Sequence, residues 1–339
     1  MAGTPLADGY FLVIWSIKSD LEHLAKFFGL EHYASNRPCV LCPCEAGNDA
    51  PQNLLFSNFS RSASWMSLLF THLSWHTRNP SPHYLFQLKY LSGINYDPDE
   101  LHLIHLGTST HLLGSVLWLL VYEIMTDTPV ANMKAIWTRI TSLYKDMDVK
   151  CAYSNLTLNS FVNPKSPHNQ YPRLKGKGAE IKDLMEPMYA VWQEYKRPSR
   201  DEAFMDNLVS KALSTMCQIQ GILHYHADDT FLPTTVAEQF RKLVNNFLVD
   251  YSKLAHLADS ANMLLFNVVP KHHGMWHLGQ RAKFLNPRKG NTMIDEDFVG
   301  KIKDLVSSSA HGTESHLIPT KVFEKYTWGC HILWTYSDK

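Results

Sequence analysis

The chain has 339 residues, enough for a large core in one elaborated domain or two. Its 32 basic and 32 acidic residues cancel, which excludes a global field steering the molecule to nucleic acid or anionic lipid and leaves that work to local patches. Eighteen histidines permit metal or acid–base chemistry; with no basic segment leading into an apolar core at the N-terminus, the expectation is an intracellular protein whose six cysteines are thiols or metal ligands.

From Tyr10 to Ile17 the chain is aromatic or β-branched with little alternation, which predicts a strand covered on both faces. Leu21, Leu24, Ala25 and Phe28 then recur at three- and four-residue steps, predicting a short amphipathic helix with Gly29 as its stop. Asp20 falls at the break. It reads either as the helix cap or as a functional carboxylate just past a buried strand end.

Cys39 and Cys42, in PCVLCPC, have the spacing of a tight turn that offers two sulfurs to one ion, which is half a zinc site. Residues 45–61 read as loop and Ser64 to His76 as helix. If Asp97 caps a helix whose first turn holds Pro98, Asp99 and His102 share a face, as an exposed pair or a working one. The most apolar stretch, Leu112 to Met125, is short for a bilayer and contains Glu123, so it predicts a buried helix. Residues 163–178 form a loop in which Lys165, Arg173, Lys175 and Lys177 are candidates for phosphate contact, although a solvated basic loop has the same composition.

An all-helical middle follows, with helical periods over Ile181 to Tyr195, Phe204 to His226 and Thr235 to about Phe266. Leu264 to Val269 reads as a strand or a helix end. In PKHHGMWH, His273 and His277 are four apart and share a helical face, where they either complete the site begun by Cys39 and Cys42 or pack among aromatics. Arg281, Lys283, Arg288 and Lys289 supply a second basic patch for nucleic acid. Asp295, Glu296 and Asp297 open a last helix, whose apolar face is Phe298, Ile302 and Leu305. The tail YTWGCHILWTY is aromatic enough to need a packing partner.

Taken in order, WSIKSDLEHLAKFFGL with PCVLC, then DELHLIHLGTSTHLLGSVL, then PKHHGMWHL and DEDFVGKIKDLV resemble the transposases of CACTA (En/Spm)-type and related cut-and-paste DNA elements. The resemblance runs from about Tyr10 to Tyr326 and rests on the order and spacing of short motifs. It implies an α+β, predominantly helical fold, with a partial ribonuclease H-like core interrupted by a large helical insertion. Residues 1–92 would be the core segment with its C-x-x-C loop, 93–266 the insertion, and 267–339 the return to the core.

By the same resemblance Asp20 and Glu296 are catalytic carboxylates meeting at one edge of a small sheet, with Mg²⁺ or Mn²⁺ as cofactor, and Asp99 and His102 are the D-x-x-H motif. Zn²⁺ on Cys39, Cys42, His273 and His277 is the second expected metal. The implied activity is nicking and strand transfer of DNA at transposon ends, in the nucleus, with a homo-oligomer admissible and no membrane partner. One departure qualifies it. The family's first aspartate lies on an upstream strand, and only nine residues precede Tyr10, so the expectation is a truncated, inactive descendant. The competing readings are a non-catalytic nucleic-acid or protein-binding module and a zinc-binding helical protein of unrelated function.

Overall fold

The computed structural model describes residues 14–79, 83–88, 90–197 and 203–336, with backbone alone at 203, 294, 296, 297 and 333–336. They belong to two compact units, Met1–Asn291 and Thr292–Lys339. The architecture is α+β with helix strongly predominant. Among the described residues its one sheet pairs β1 (Ile17–Ser19) with β2 (Tyr96–Pro98) in parallel, Ile17 opposite Tyr96 and Ser19 opposite Pro98.

The long interior strand expected over Tyr10 to Ile17 does not form where it can be followed. Tyr10–Val13 lie outside the described residues, and Ile14 and Trp15 are 38% and 71% exposed. An apolar run reports hydrophobicity alone, and two strands of three residues offer no second layer to bury it. After β1, Asp20 caps α1 (Leu21–Lys26), its Oδ1 accepting the His23 amide at 2.5 Å. Gly29, at φ 65°, turns the chain beyond it. Leu24 and Phe28 enter a small core with Trp75, Phe86, Leu91 and Tyr96.

Two expected helices begin elsewhere. Ser64 to His76 is broken into a single turn at Ser64–Met66 and α2 (His72–Arg78), because Thr71 and Ser74 cap each other's amides and start a new helix. Asp97 and Pro98 open no helix: they belong to β2, and Asp99 caps instead, its Oδ1 accepting the Leu101 amide at 3.0 Å. The helix that follows, α3 (Leu101–Ile124), is longer than the apolar stretch expected there, and is long and apolar enough to cross a membrane. With 94% of its most apolar window buried inside the protein, it is the core helix. Burying Leu112, Leu113, Val116 and Leu117 contributes roughly 1.5–3 kcal/mol each. Gly107 kinks it, at φ −117° and ψ −107°, where a Cβ would stand 2.6 Å from the His102 carbonyl oxygen.

Around α3 pack α4 (Pro129–Asp146), α5 (Gly178–Tyr195), α6 (Ala203–Tyr225) and, on its first half, α8 (Pro270–Arg281), while α7 (Thr234–Ser260) packs on α6 and α8. The helix expected to reach Phe266 stops at Ser260, and residues 264–269 form no strand. The Ser115 hydroxyl of α3 accepts the Phe266 amide at 2.8 Å and holds that residue at φ 54°. In the second unit α9 (Met293–Ala310) packs on α10 (Ile318–Tyr336), with the Phe298 and Tyr326 rings 5.9 Å apart. Trp328 of the aromatic tail is exposed, as is Phe323 just before it.

Candidate functional site

Two neighbouring constellations occupy the side of the first unit where β1, β2 and α8 meet. The first is Cys39, Cys42, His273 and His277, whose ligand atoms all lie within 4.8 Å of one another. Cys39 Sγ is 3.3 Å from His277 Nε2, Cys42 Sγ is 3.2 Å from His273 Nε2, and the two Nε2 atoms are 3.0 Å apart. A tetrahedral ion bound at ordinary zinc distances needs ligand edges of about 3.3–3.8 Å, so small adjustments admit it. The set could hold a metal such as zinc. Local structure explains the convergence: α8 puts two imidazoles one turn apart on one face, and the turn at Cys39 to Cys42 presents both sulfurs to it.

The surroundings suit a cation. Glu45 bonds through its amide to the Leu54 carbonyl at 2.8 Å and through its carbonyl to the Phe56 amide at 2.9 Å, a parallel bridge to Leu55 that holds the Phe56 carbonyl near His273. His273 Nδ1 lies 3.2 Å from that oxygen, so an Nδ1–H donated there leaves Nε2 for a metal. The Leu41 amide donates to Cys39 Sγ at 3.2 Å. Cys44 stands within hydrogen-bonding reach of both cysteines. Burial pushes the Cys39 thiol up, but hydrogen bonds from Cys42 and Cys44 and the nearby His277 and His273 outweigh it and hold that thiol well below its ordinary range. Burial and the Cys39 sulfur drive Cys42 far up. A bound cation would stabilise thiolates at both Cys39 and Cys42.

The second constellation is a cavity of about 210 Å³ lined by Ser19, Asp20, Tyr33, Asp99, His102 and Lys271 among others. Asp99, 1% exposed, bonds through Oδ2 to His102 Nδ1, and His102 Nε2 is 3.9 Å from Asp20 Oδ2. Burial lowers the His102 pKa, but the Asp99 hydrogen bond and charge outweigh it, so the imidazole is held above its usual value. Lys271, at the start of α8, donates to the Leu106 carbonyl beside the Gly107 kink at 2.9 Å. Burial, reinforced by Arg173 and partly offset by Asp20 and Asp99, brings its pKa down to about 8.

Asp20 is therefore both cap and cavity wall. Glu296 lies on α9 in the second unit, and its side chain is outside the described residues. The two basic patches differ in kind. Lys165, Arg173, Lys175 and Lys177 are exposed on a loop pinned by the bonds Arg173 N to Phe161 O, 2.8 Å, and Leu174 N to Thr110 O, 2.9 Å. The second patch is largely engaged within the protein. Arg281 pairs with Asp97 at 2.6 Å, Arg288 reaches Glu100 at 3.5 Å, Lys289 donates to the Ala227 and Asp228 carbonyls, and Lys283 sits over the Phe284 ring.

Glu100 and Lys271 carry no signal in the sequence. Glu100 and His105 are each 1% exposed and pair at 2.8 Å, with Asn291 donating to Glu100 at 2.7 Å. No protein-family model matches the chain, and no curated protein or solved structure does either.

Proposed function

We propose that the chain is a transposase-derived protein of a cut-and-paste DNA element, in which a zinc staple on Cys39, Cys42, His273 and His277 holds part of a ribonuclease H-like site against a helical insertion. The observation that carries the reading is the meeting of Asp20 with the Asp99–His102 pair in one cavity beside the Cys₂His₂ set. The exposed basic loop supports it, because Arg173 lies near enough to Lys271 to lower that residue's pKa. Divalent ions held by carboxylates in such a site activate water and stabilise the leaving oxygen of a phosphodiester. Asp20 would be one ligand. DNA would be held through its phosphates by the loop from Lys165 to Lys177.

A second reading, a zinc-stapled binding module without catalysis, is favoured by the contrast between a metal set with four ligands and a cavity whose three carboxylates already have partners, Asp20 in the His23 amide, Glu22 in Lys26 and Asp99 in His102. One pair of assays separates the readings. Fluorescence anisotropy with duplex DNA and nicking of supercoiled plasmid in Mg²⁺ or Mn²⁺ would be compared for the parent and Asp20→Asn. The expected result is DNA binding with cleavage weak or lost. Nicking abolished in Asp20→Asn would instead establish a complete catalytic site, and absence of DNA binding at low salt would overturn the transposase reading.

A further inference from the structure

A second cavity of the first unit, about 450 Å³ in volume, lies between the loop after Phe59 and the packed pair α6 and α7, and shares no lining residue with the two constellations above. Asn246, Val249, Asp250 and Lys253 recur at three- and four-residue steps, so one face of α7 forms its wall, and Lys211 enters from α6. Asp250 is 3% exposed and ion-paired on both oxygens, with Lys211 at 2.6 Å and with Lys253 at 3.2 Å. A buried charge thus tethers two long side chains at the cavity. Arg61 approaches from the loop, which is tightened where Asn58 Oδ1 accepts the Ser60 amide at 3.0 Å and the Ser60 carbonyl accepts the Ala63 amide at 3.1 Å. Its guanidinium has no hydrogen-bond or ion-pair partner among the described residues.

Three cationic side chains against one carboxylate leave two positive charges uncompensated around a single cavity. From this balance we propose that the cavity binds the phosphate group of a phosphate monoester, which carries close to two negative charges at neutral pH. The Arg61 fork suits two phosphate oxygens at once, the two lysines add point charges, and the Asn245 and Asn246 carboxamides on the same wall can donate to the remaining oxygens. Met66 and Val249 offer apolar surface to whatever the phosphate is attached to. A phosphodiester within a DNA strand carries a single charge and matches the cavity less well. The inference goes beyond the transposase reading and does not rest on it, since a small phosphorylated metabolite and the phosphorylated end of a DNA strand present the same group.

The test is calorimetric titration of the full chain at neutral pH with inorganic phosphate, methyl phosphate and dimethyl phosphate. The expected result is saturable binding of the first two and at least about tenfold weaker binding of the singly charged dimethyl diester. Arg61→Ala should weaken phosphate binding at least about tenfold, the loss of a charge-assisted contact, with stability unchanged because the side chain is exposed. Lys242→Ala, which removes an α7 lysine paired with Glu238 outside the cavity, should change nothing. Phosphate that fails to saturate the parent, equal affinity in parent and Arg61→Ala, or equal affinity for monoester and diester overturns the proposal. Because the comparison of monoester with diester needs no variant, a misfolded mutant cannot obscure the outcome. The source is read with adenosine monophosphate and with two oligonucleotides of one sequence, ending in a 5′ phosphate or a 5′ hydroxyl. Preference for the phosphorylated strand, lost in Arg61→Ala, assigns a DNA end; adenosine monophosphate binding without that preference assigns a small metabolite.

Discussion

The Trp65 indole lies against the His273 imidazole with ring centroids 4.2 Å apart, and Trp65 has no exposed surface. It also borders Trp276 and His277. The candidate zinc ligands on α8 are therefore walled by aromatic rings that exclude water and fix both imidazoles. Trp65→Ala should cost about 3–5 kcal/mol of stability in urea and lower zinc affinity by about 10- to 100-fold. Zinc by elemental analysis should fall to background in the double variant Cys39→Ser, Cys42→Ser, and chelation should lower the unfolding midpoint of the parent. Equal zinc in parent and double variant would contradict the assignment.

Glu100 and His105 form a buried pair that should behave as a unit. Burial raises the Glu100 pKa, but the His105 hydrogen bond outweighs it and keeps the carboxyl below its usual value. Glu100→Leu strands His105 in the interior and should cost about 3–5 kcal/mol, whereas His105→Leu leaves Glu100 with Asn291 and Arg288 and should cost less. The double variant should cost less than the sum. Additive single effects in a denaturant double-mutant cycle would show that the two are not coupled.

His111 predicts an acid-labile fold. Burial, with help from Arg173 and Lys271, lowers its pKa to about 4, and its Nδ1 has no hydrogen-bond partner among the described residues. Between that value and the ordinary 6.5 the unfolded chain binds the proton and the native chain does not, so stability falls as pH falls through this window. His111→Leu should match the parent near pH 7 and exceed it by about 2 kcal/mol at pH 5, the proton-linked difference over one and a half units. Parallel stability curves for the two proteins from pH 7 to 5 would refute this.

The two basic patches should separate in one experiment. Alanine at Arg173, Lys175 and Lys177 should weaken DNA binding and flatten the slope of log affinity against log salt by about 2–3, with stability little changed. Arg281→Ala should leave the slope alone and cost about 3–5 kcal/mol, because Asp97 beneath it is only 6% exposed. Anisotropy across a salt series, paired with denaturant melts, distinguishes the two effects.

The Cys₂His₂ cluster was legible because each half is local: two thiols in a turn and two imidazoles one helical turn apart. The Asp99–His102 face and the break at Asp20 were legible for similar reasons, since both depend on short spacing at a helix start. Glu100 and His105 are five apart, a spacing that meets only where the first turns of α3 widen to π-type bonding, as they do here. Lys271 was hidden because its role depends on the kink at Gly107, which lies far away in the sequence. The second basic patch looked available for DNA, yet its partners Asp97, Glu100 and the carbonyls of residues 227 and 228 are remote, and only tertiary structure brings them near. The ends of β1 and α7 were misjudged because sheet width and the Ser115 hydroxyl, not the local pattern, decide them.

The proposed staple has a consequence for how the chain is made. Cys42 and His273 are separated by 231 positions, and closing so long a segment in a disordered chain costs about 5 kcal/mol in loop entropy alone. During synthesis the thiols leave the ribosome long before α8 exists to receive them. Throughout that interval they can be oxidised or captured by other metal-binding partners. Arrival of α8 against an already folded helical middle would convert a distant encounter into a short-range docking, so under the proposed staple metallation would come last and lock a finished unit.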